Sequence, residues 1–215
     1  LVDLSAWIAE KKAYVDKPVD IDTLLKAQHA RVVHQSYEEE YAGRVARVDA
    51  LDELSGKIGK LDYADKATIA KAAAEARAAY DALKAPAAAK SKAIEAGLAA
   101  EQAKEDARID FASKSKDFAR WSTIAQQDLA ERTFGFTLAT VTAHGAALDA
   151  SDAEFRKSAD AGLASIKAAD DVAQKLKTGA NPHTKLTVAD ATAAHKAVGD
   201  AIAARRADYA AELAK

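Results

Sequence analysis

The chain has 215 residues, 30% of them charged, a net charge of −2 and no cysteine. It therefore offers neither a polybasic face for nucleic acid or anionic membrane nor a disulfide framework. Aromatic residues make up only 6% and roughly a quarter of the chain is Ala, the strongest intrinsic helix former, which favours long exposed helices over a thick globular core. No apolar run reaches the ~18 residues of a membrane span and nothing resembles a signal peptide, so neither membrane insertion nor secretion is expected. Absence of Cys fits a reducing, cytoplasmic compartment. The chain lacks Met and begins at Leu1, which reads as a piece of a longer protein.

Leu1, Leu4 and Ile8 fall at helical spacing, with Trp7 and Val15 widening the same face. Lys17-Pro18 ends this first helix, because the residue before a proline is pushed out of the α region. A second helix is expected from an N-cap at Asp22 or Thr23 to about Lys60. Its apolar positions are Tyr37, Tyr41, Val45, Val48, Leu51, Leu54, Ile58 and Leu61, with a local phase slip between Val48 and Leu54. The turn Leu61-Asp62-Tyr63-Ala64-Asp65 follows, with Asp65 as candidate cap.

From about Lys66 to about Arg132 the chain reads as helical almost throughout. Ile69, Ala73, Ala76, Tyr80 and Leu83 step by four and three, a seam for packing against two other helices. Pro86 is expected to kink this helix without stopping it. The segment from Ala87 to Glu105 reads as a helical connector, and Phe111, Phe118, Trp121 and Ala125 form the next seam. A helix of that length spans about 100 Å, too long for one compact domain. It makes sense if it closes one bundle and opens the next.

The loop Arg132-Thr133-Phe134-Gly135-Phe136 leads to a fifth helix from about Thr137, with a possible restart at Ser151, where Ser151 and Glu154 have capping-box spacing. Phe155, Ala159, Gly162, Ile166, Ala169, Ala173 and Leu176 alternate in steps of four and three. Thr178-Gly179-Ala180-Asn181-Pro182 is the strongest turn signal in the chain. Thr187 with Asp190 caps a last helix whose face is Val188, Ala191, His195, Val198, Ile202 and Tyr209. Trp7 and Trp121, like Tyr80 and His195, stand about 115 positions apart, an internal repeat of one three-helix unit. The expected fold is all-α: two tandem three-helix bundles over 1–100 and 101–215, joined by a continuous helix into an elongated rod.

At these residues the chain resembles tandem spectrin repeats, and within them the rod of the α-actinins. The spectrin-repeat family places a Trp in its first helix, as at Trp7 and Trp121. The α-actinin resemblance rests on Leu61-Asp62-Tyr63, Phe118-Ala119-Arg120-Trp121, Thr142-Ala143-His144, Gly179-Ala180-Asn181-Pro182-His183-Thr184 with Leu186-Thr187, and Arg205-Arg206. Departures are Tyr80 and His195 where the family has a third-helix Trp, a shorter loop at 134–137, and Pro86. Abundant Ala at core positions suggests a divergent, protozoan member. The resemblance implies a cytoskeletal rod and antiparallel homodimerisation module of an actin cross-linker, with F-actin bound only by domains outside this chain. The alternative is a monomeric scaffold that docks adaptor or membrane-associated proteins.

Candidate sites are few. Trp7 and Trp121 sit on apolar helix faces, where aromatics are usually core. His34 and Glu38 stand four apart, a spacing a metal could use, but without a third ligand a solvated pair is expected. His195 lies in a seam, where burial would favour its neutral form and a pH-sensitive packing role is conceivable. The patch Glu38-Glu39-Glu40 is a candidate to face Arg205-Arg206 of a second copy. No Gly-rich phosphate loop, Ser/His/Asp motif or paired catalytic carboxylates appear. No catalytic, cofactor-binding or metal residue is assigned, no cofactor is expected, and the chain is read as not an enzyme.

Overall fold

A computed structural model describes residues 2–215; the predicted core position Leu1 lies outside them. Among the described residues the chain is all-α, with six helices and no strand: α1 (Val2–Asp16), α2 (Leu24–Gly59), α3 (Lys66–Asp81), α4 (Lys84–Leu129), α5 (Leu138–Lys175) and α6 (Val188–Leu213). It divides into two compact units, Leu1–Gln102 and Ala103–Lys215. Helix α4 supplies residues to both.

In the first unit α1 runs antiparallel to α2, as the pairs Trp7–Glu40 and Tyr14–His34 show. Helix α3 runs antiparallel to α2 in turn, with Arg77 reaching Asp49 at 2.6 Å and Asp52 at 3.1 Å. The core gathers Leu4, Trp7, Ile8 and Val15 from α1, Tyr37 and Val48 from α2, and Ala76, Tyr80, Leu83 and Ala87. Thr23 caps α2 by accepting from the Lys26 amide, which meets one of the donors a helix start leaves unpaired. Asp65 occupies the N-cap position of α3 but makes no side-chain cap bond. Val45, Leu54 and Leu61, expected on the packed face, are exposed. The 15 residues of α1 pack only as far along α2 as Val48 and Leu51, so the far end of α2 has one helical neighbour fewer.

The single helix expected over 66–132 is two helices, and the interruption precedes the proline. Ala82 and Leu83 form a turn in which the Leu83 amide donates to the Tyr80 carbonyl at 3.1 Å. Pro86 has no N–H to offer the Ala82 carbonyl, and its ring would crowd that carbonyl in a continuous helix. Opening the ladder at 82–83 places Pro86 in the first turn of α4, where the missing donor costs nothing. Leu83 stays 1% exposed, so the break is sealed by the core.

In the second unit the buried residues of α4 run Ala107, Phe111, Ser115, Phe118, Ser122, Ala125 and Leu129, in steps of four and three. Helix α5 is antiparallel to α6. Phe111, Phe118, Ile166, Ala169 and Ala191 form one core layer, and Ala125, Leu129, Ala159, Val198 and Ile202 the next. Phe134 closes the end with Val141, Leu148 and Tyr209, its ring edge-on to Tyr209 at 5.5 Å. Helix α5 is continuous through Ser151, without the restart suggested by the spacing of Ser151 and Glu154. Reciprocal capping boxes start α5 at Thr137–Thr140 and α6 at Thr187–Asp190. Only the second was visible as a sequence signal.

Two glycines test this packing. A side chain at Gly162 would meet the Phe118 ring, whereas one at Gly43 would meet nothing within 4 Å. Gly43→Ala should raise stability by about 0.5–1 kcal/mol through helix propensity. Gly162→Ala should lower it, because forced repacking costs about 1–3 kcal/mol. Urea unfolding of the two variants should move the midpoint in opposite directions.

Candidate functional site

Two clusters of buried polar side chains stand out, one in each unit. In the first unit a ladder of rings runs along the interface of α1, α2 and α3. Trp7 lies 6.3 Å from Tyr80, and Tyr80 stacks on Tyr41 at 4.3 Å between centroids. Tyr37 follows at 6.1 Å from Tyr41, His34 at 5.5 Å from Tyr37, and Tyr14 at 6.1 Å from His34. The Tyr80 hydroxyl donates to the Tyr41 carbonyl at 2.6 Å, and the Tyr41 hydroxyl returns a bond to the Tyr80 carbonyl at 3.4 Å. At the other end Lys90 of α4 sits over the Tyr14 ring at 4.8 Å and donates to the Lys17 carbonyl at 2.5 Å.

Burial sets the charge states along this ladder. It pushes the Tyr37 phenol up to about 12, with Tyr80 and Tyr14 adding to the shift. The phenols of Tyr14, Tyr41 and Tyr80 are raised by the same cause. Burial holds His34 below its usual range, and the positive charge of Lys90 acts the same way against the opposing pull of Glu38. Lys90 is itself lowered by burial and by Lys17. His34 is 3% exposed, so His34 and Glu38 are not the solvated pair the sequence implied. Glu38 lies 3.5 Å from the ring Nε2, which has no hydrogen-bond partner. No group of three metal-ligating side chains occurs among the described residues.

Lys90 also walls an open cavity of about 550 Å³ between the α1–α2 loop, the start of α2 and α4. Its apolar lining is Tyr14, Val19, Leu25, Ala30, Val33 and Ile94. Ile21 fixes the loop by packing over Gly97 of α4, so closely that a Cβ there would stand 2.8 Å from Ile21 Cδ1. This cavity lies outside the candidate sites read from the sequence. One signal existed: Lys90 stands on the seam Leu83, Ala87, Lys90, Ile94, where a charged residue has to be buried.

In the second unit Asp152 is 4% exposed between two arginines. Arg205, 7% exposed, donates to one carboxylate oxygen and to the Ser151 hydroxyl, and Arg206 donates to the other oxygen. Arg206 reaches Asp149 as well, at 2.5 Å, and these carboxylates raise its guanidinium above the ordinary value, the hydrogen bond to Asp152 being the largest cause. Both arginines are therefore engaged inside their own unit. Of the acidic patch, Glu40 is engaged as well, by Lys11 at 2.9 Å and the Trp7 indole at 3.1 Å. The expected seam histidine His195 is half-buried and pairs with Asp160 at 2.6 Å.

The turn after α5 is latched to α4. Asn181 donates to the Arg108 carbonyl at 2.8 Å, Arg108 donates to the Thr178 carbonyl, and His183 meets Glu105 at 2.6 Å. His183 and Arg108 hold the Glu105 carboxyl below its usual range. Lys177, in the left-handed region at φ 53°, and Gly179 at φ 70° set up this turn.

This helix plan can be compared with known families. Residues 1–96 match the family model of the spectrin repeat. The match supports a spectrin-repeat nature for the first unit. No curated protein matches the chain. No helix among the described residues is long and apolar enough to cross a membrane.

Two consequences can be measured. Asp152→Ala leaves Arg205 buried without its counter-charge, and removing one partner of a buried pair costs about 3–5 kcal/mol. Chemical denaturation should show a loss of that size, while Asp149→Ala, at an exposed carboxylate, should cost under about 1 kcal/mol. His34 binds its proton more weakly folded than unfolded, so the unfolded state takes up protons first as pH falls. Stability should therefore decline as pH drops through about 6.5 and level off below the folded value. In His34→Gln the difference in urea midpoint between pH 7.5 and pH 5 should shrink; an unchanged difference would remove His34 from the account.

Proposed function

We propose that this chain is a rod and spacer segment, with antiparallel homodimerisation, of an actin-filament cross-linking protein similar to α-actinin. The observation that carries the reading is the spectrin-repeat match over residues 1–96, joined to the recurrence of the three-helix plan in the second unit. Trp7 and Trp121 fill equivalent first-helix positions, one buried and the other packed against two core layers. In such a protein the repeats set the spacing between actin-binding heads, and F-actin is engaged by domains outside this chain. A repeat of this kind acts through shape and charge register, which suits a surface of interleaved charges.

A monomeric scaffold that docks adaptor or membrane-associated proteins is the second reading. It is favoured by the engagement of Arg205 and Arg206 within their own unit, which removes them as contacts for the acidic patch of a second copy. Light scattering across a dilution series separates the two. Dimerisation through the repeats gives a mass of twice the chain's 22.7 kDa that persists on dilution into the micromolar range. A mass of 22.7 kDa at all concentrations up to millimolar would refute the dimer and leave the scaffold.

A further inference from the structure

We propose that the cavity beside Lys90 binds a small apolar monocarboxylate, with its carboxylate on the Lys90 ammonium and its hydrocarbon against α2 and α4. Three observations converge on it. The cavity, about 550 Å³, lies within the range of small-molecule sites, which are mostly apolar with few polar groups. Its walls are supplied by Val19 of the loop, Leu25, Ala30 and Val33 of α2, and Ile94 of α4.

The second observation is the state of Lys90. It is nine-tenths buried, yet its ammonium donates only to the Lys17 carbonyl and pairs with no carboxylate among the described residues. A buried lysine is ordinarily paired. An ammonium has three protons to donate, so two remain for a ligand. The charged residue nearest in effect is another lysine, Lys17, which adds repulsion. An anion arriving there relieves both deficits.

The third observation is the balance of charge around the opening. Lys17, Lys26 and Lys90 line it against the single carboxylate of Asp20, while Lys26 is already paired with Asp22 at 2.8 Å. The field therefore favours a ligand with one negative charge over a neutral or cationic one of the same shape. Tyr14 beneath Lys90 keeps the ammonium at the wall, so the site exists before the ligand arrives.

The test is calorimetric titration of the full chain with decanoate, and with decanol and decylamine as neutral and cationic isosteres, the ionic ligands below their micellar concentrations and decanol below its solubility limit. Decanoate should bind one to one, at least tenfold more tightly than either isostere. Lys90→Met, which keeps the apolar stem, should erase that preference while leaving decanol affinity unchanged. Should Lys90→Met fail to fold by circular dichroism, Leu25→Glu serves, since Leu25 is 76% exposed at the rim and a carboxylate there should weaken decanoate at least fivefold. Nuclear magnetic resonance of the lysine side chains should also show the Lys90 ammonium titrating at higher pH with decanoate bound. Absence of saturable decanoate binding, equal affinity for decanoate and decanol, or indifference of decanoate to both variants would overturn the proposal.

Discussion

Burial of a narrow stripe of side chains, spaced alternately three and four residues apart, holds each three-helix unit together, and that stripe is poor in large residues. Ala73, Ala76, Ala87, Ala107, Ala125, Ala159, Ala169 and Ala191 are all buried. Each contributes about one methyl group, near 0.8 kcal/mol, where a buried Leu or Ile contributes about 1.5–3 kcal/mol. Small side chains let helices approach closely but leave little apolar area to fix register. Register must then come from elsewhere. In the first unit it comes from six aromatic and imidazole rings in sequence and the paired hydroxyl bonds of Tyr41 and Tyr80. In the second it comes from Asp152 between Arg205 and Arg206.

These two devices differ in what they tolerate. Rings contribute large apolar areas with polar tips, so the tyrosine ladder both fills space and satisfies buried groups. A buried carboxylate between two guanidinium groups adds little net stability over an apolar replacement, but leaving it half-paired is costly. The first unit is therefore held mainly by area, the second in part by a charge arrangement that admits one pairing of α5 with α6. Such division of labour has a counterpart in the loops. Arg132 reaches across to Asp208 while Glu131 accepts from Thr133, and the turn at 178–184 is tied to α4 through Arg108 and Asn181.

Much of the helix plan could be read from the chain because its signals are local. Thr23, Thr187 with Asp190, Pro18 and the turn around Gly179 act within a few residues. The seams were legible wherever apolar and small residues kept the alternating step. What escaped depended on polar residues in seam positions. Lys90, Asp152 and Arg205 all stand on the buried stripes, yet a charged residue is ordinarily assigned to solvent. His34 reads as half of a solvated pair for the same reason. The break at Ala82–Leu83 escaped differently: Pro86 announced a disturbance, and only the packing of Leu83 decided that the helix would restart ahead of it. Exposure of Leu54 and Leu61 depends on how far α1 reaches along α2, a tertiary fact that periodicity in α2 alone does not contain.

The loop between α4 and α5 carries one more consequence. Phe136 is 97% exposed, flanked by Gly135 at φ 138° and by the Thr137–Thr140 box, which caps α5 without help from residues upstream. Phe134, two residues before it, is anchored in the core. A chymotrypsin-like protease therefore finds a bulky aromatic on a kinked, solvent-facing segment, the kind of site where native chains are nicked first. The cut would fall between two segments that are each secured on their own side, so the halves would stay associated after cleavage. The same position is where a foreign sequence could be inserted with little disturbance to the second bundle.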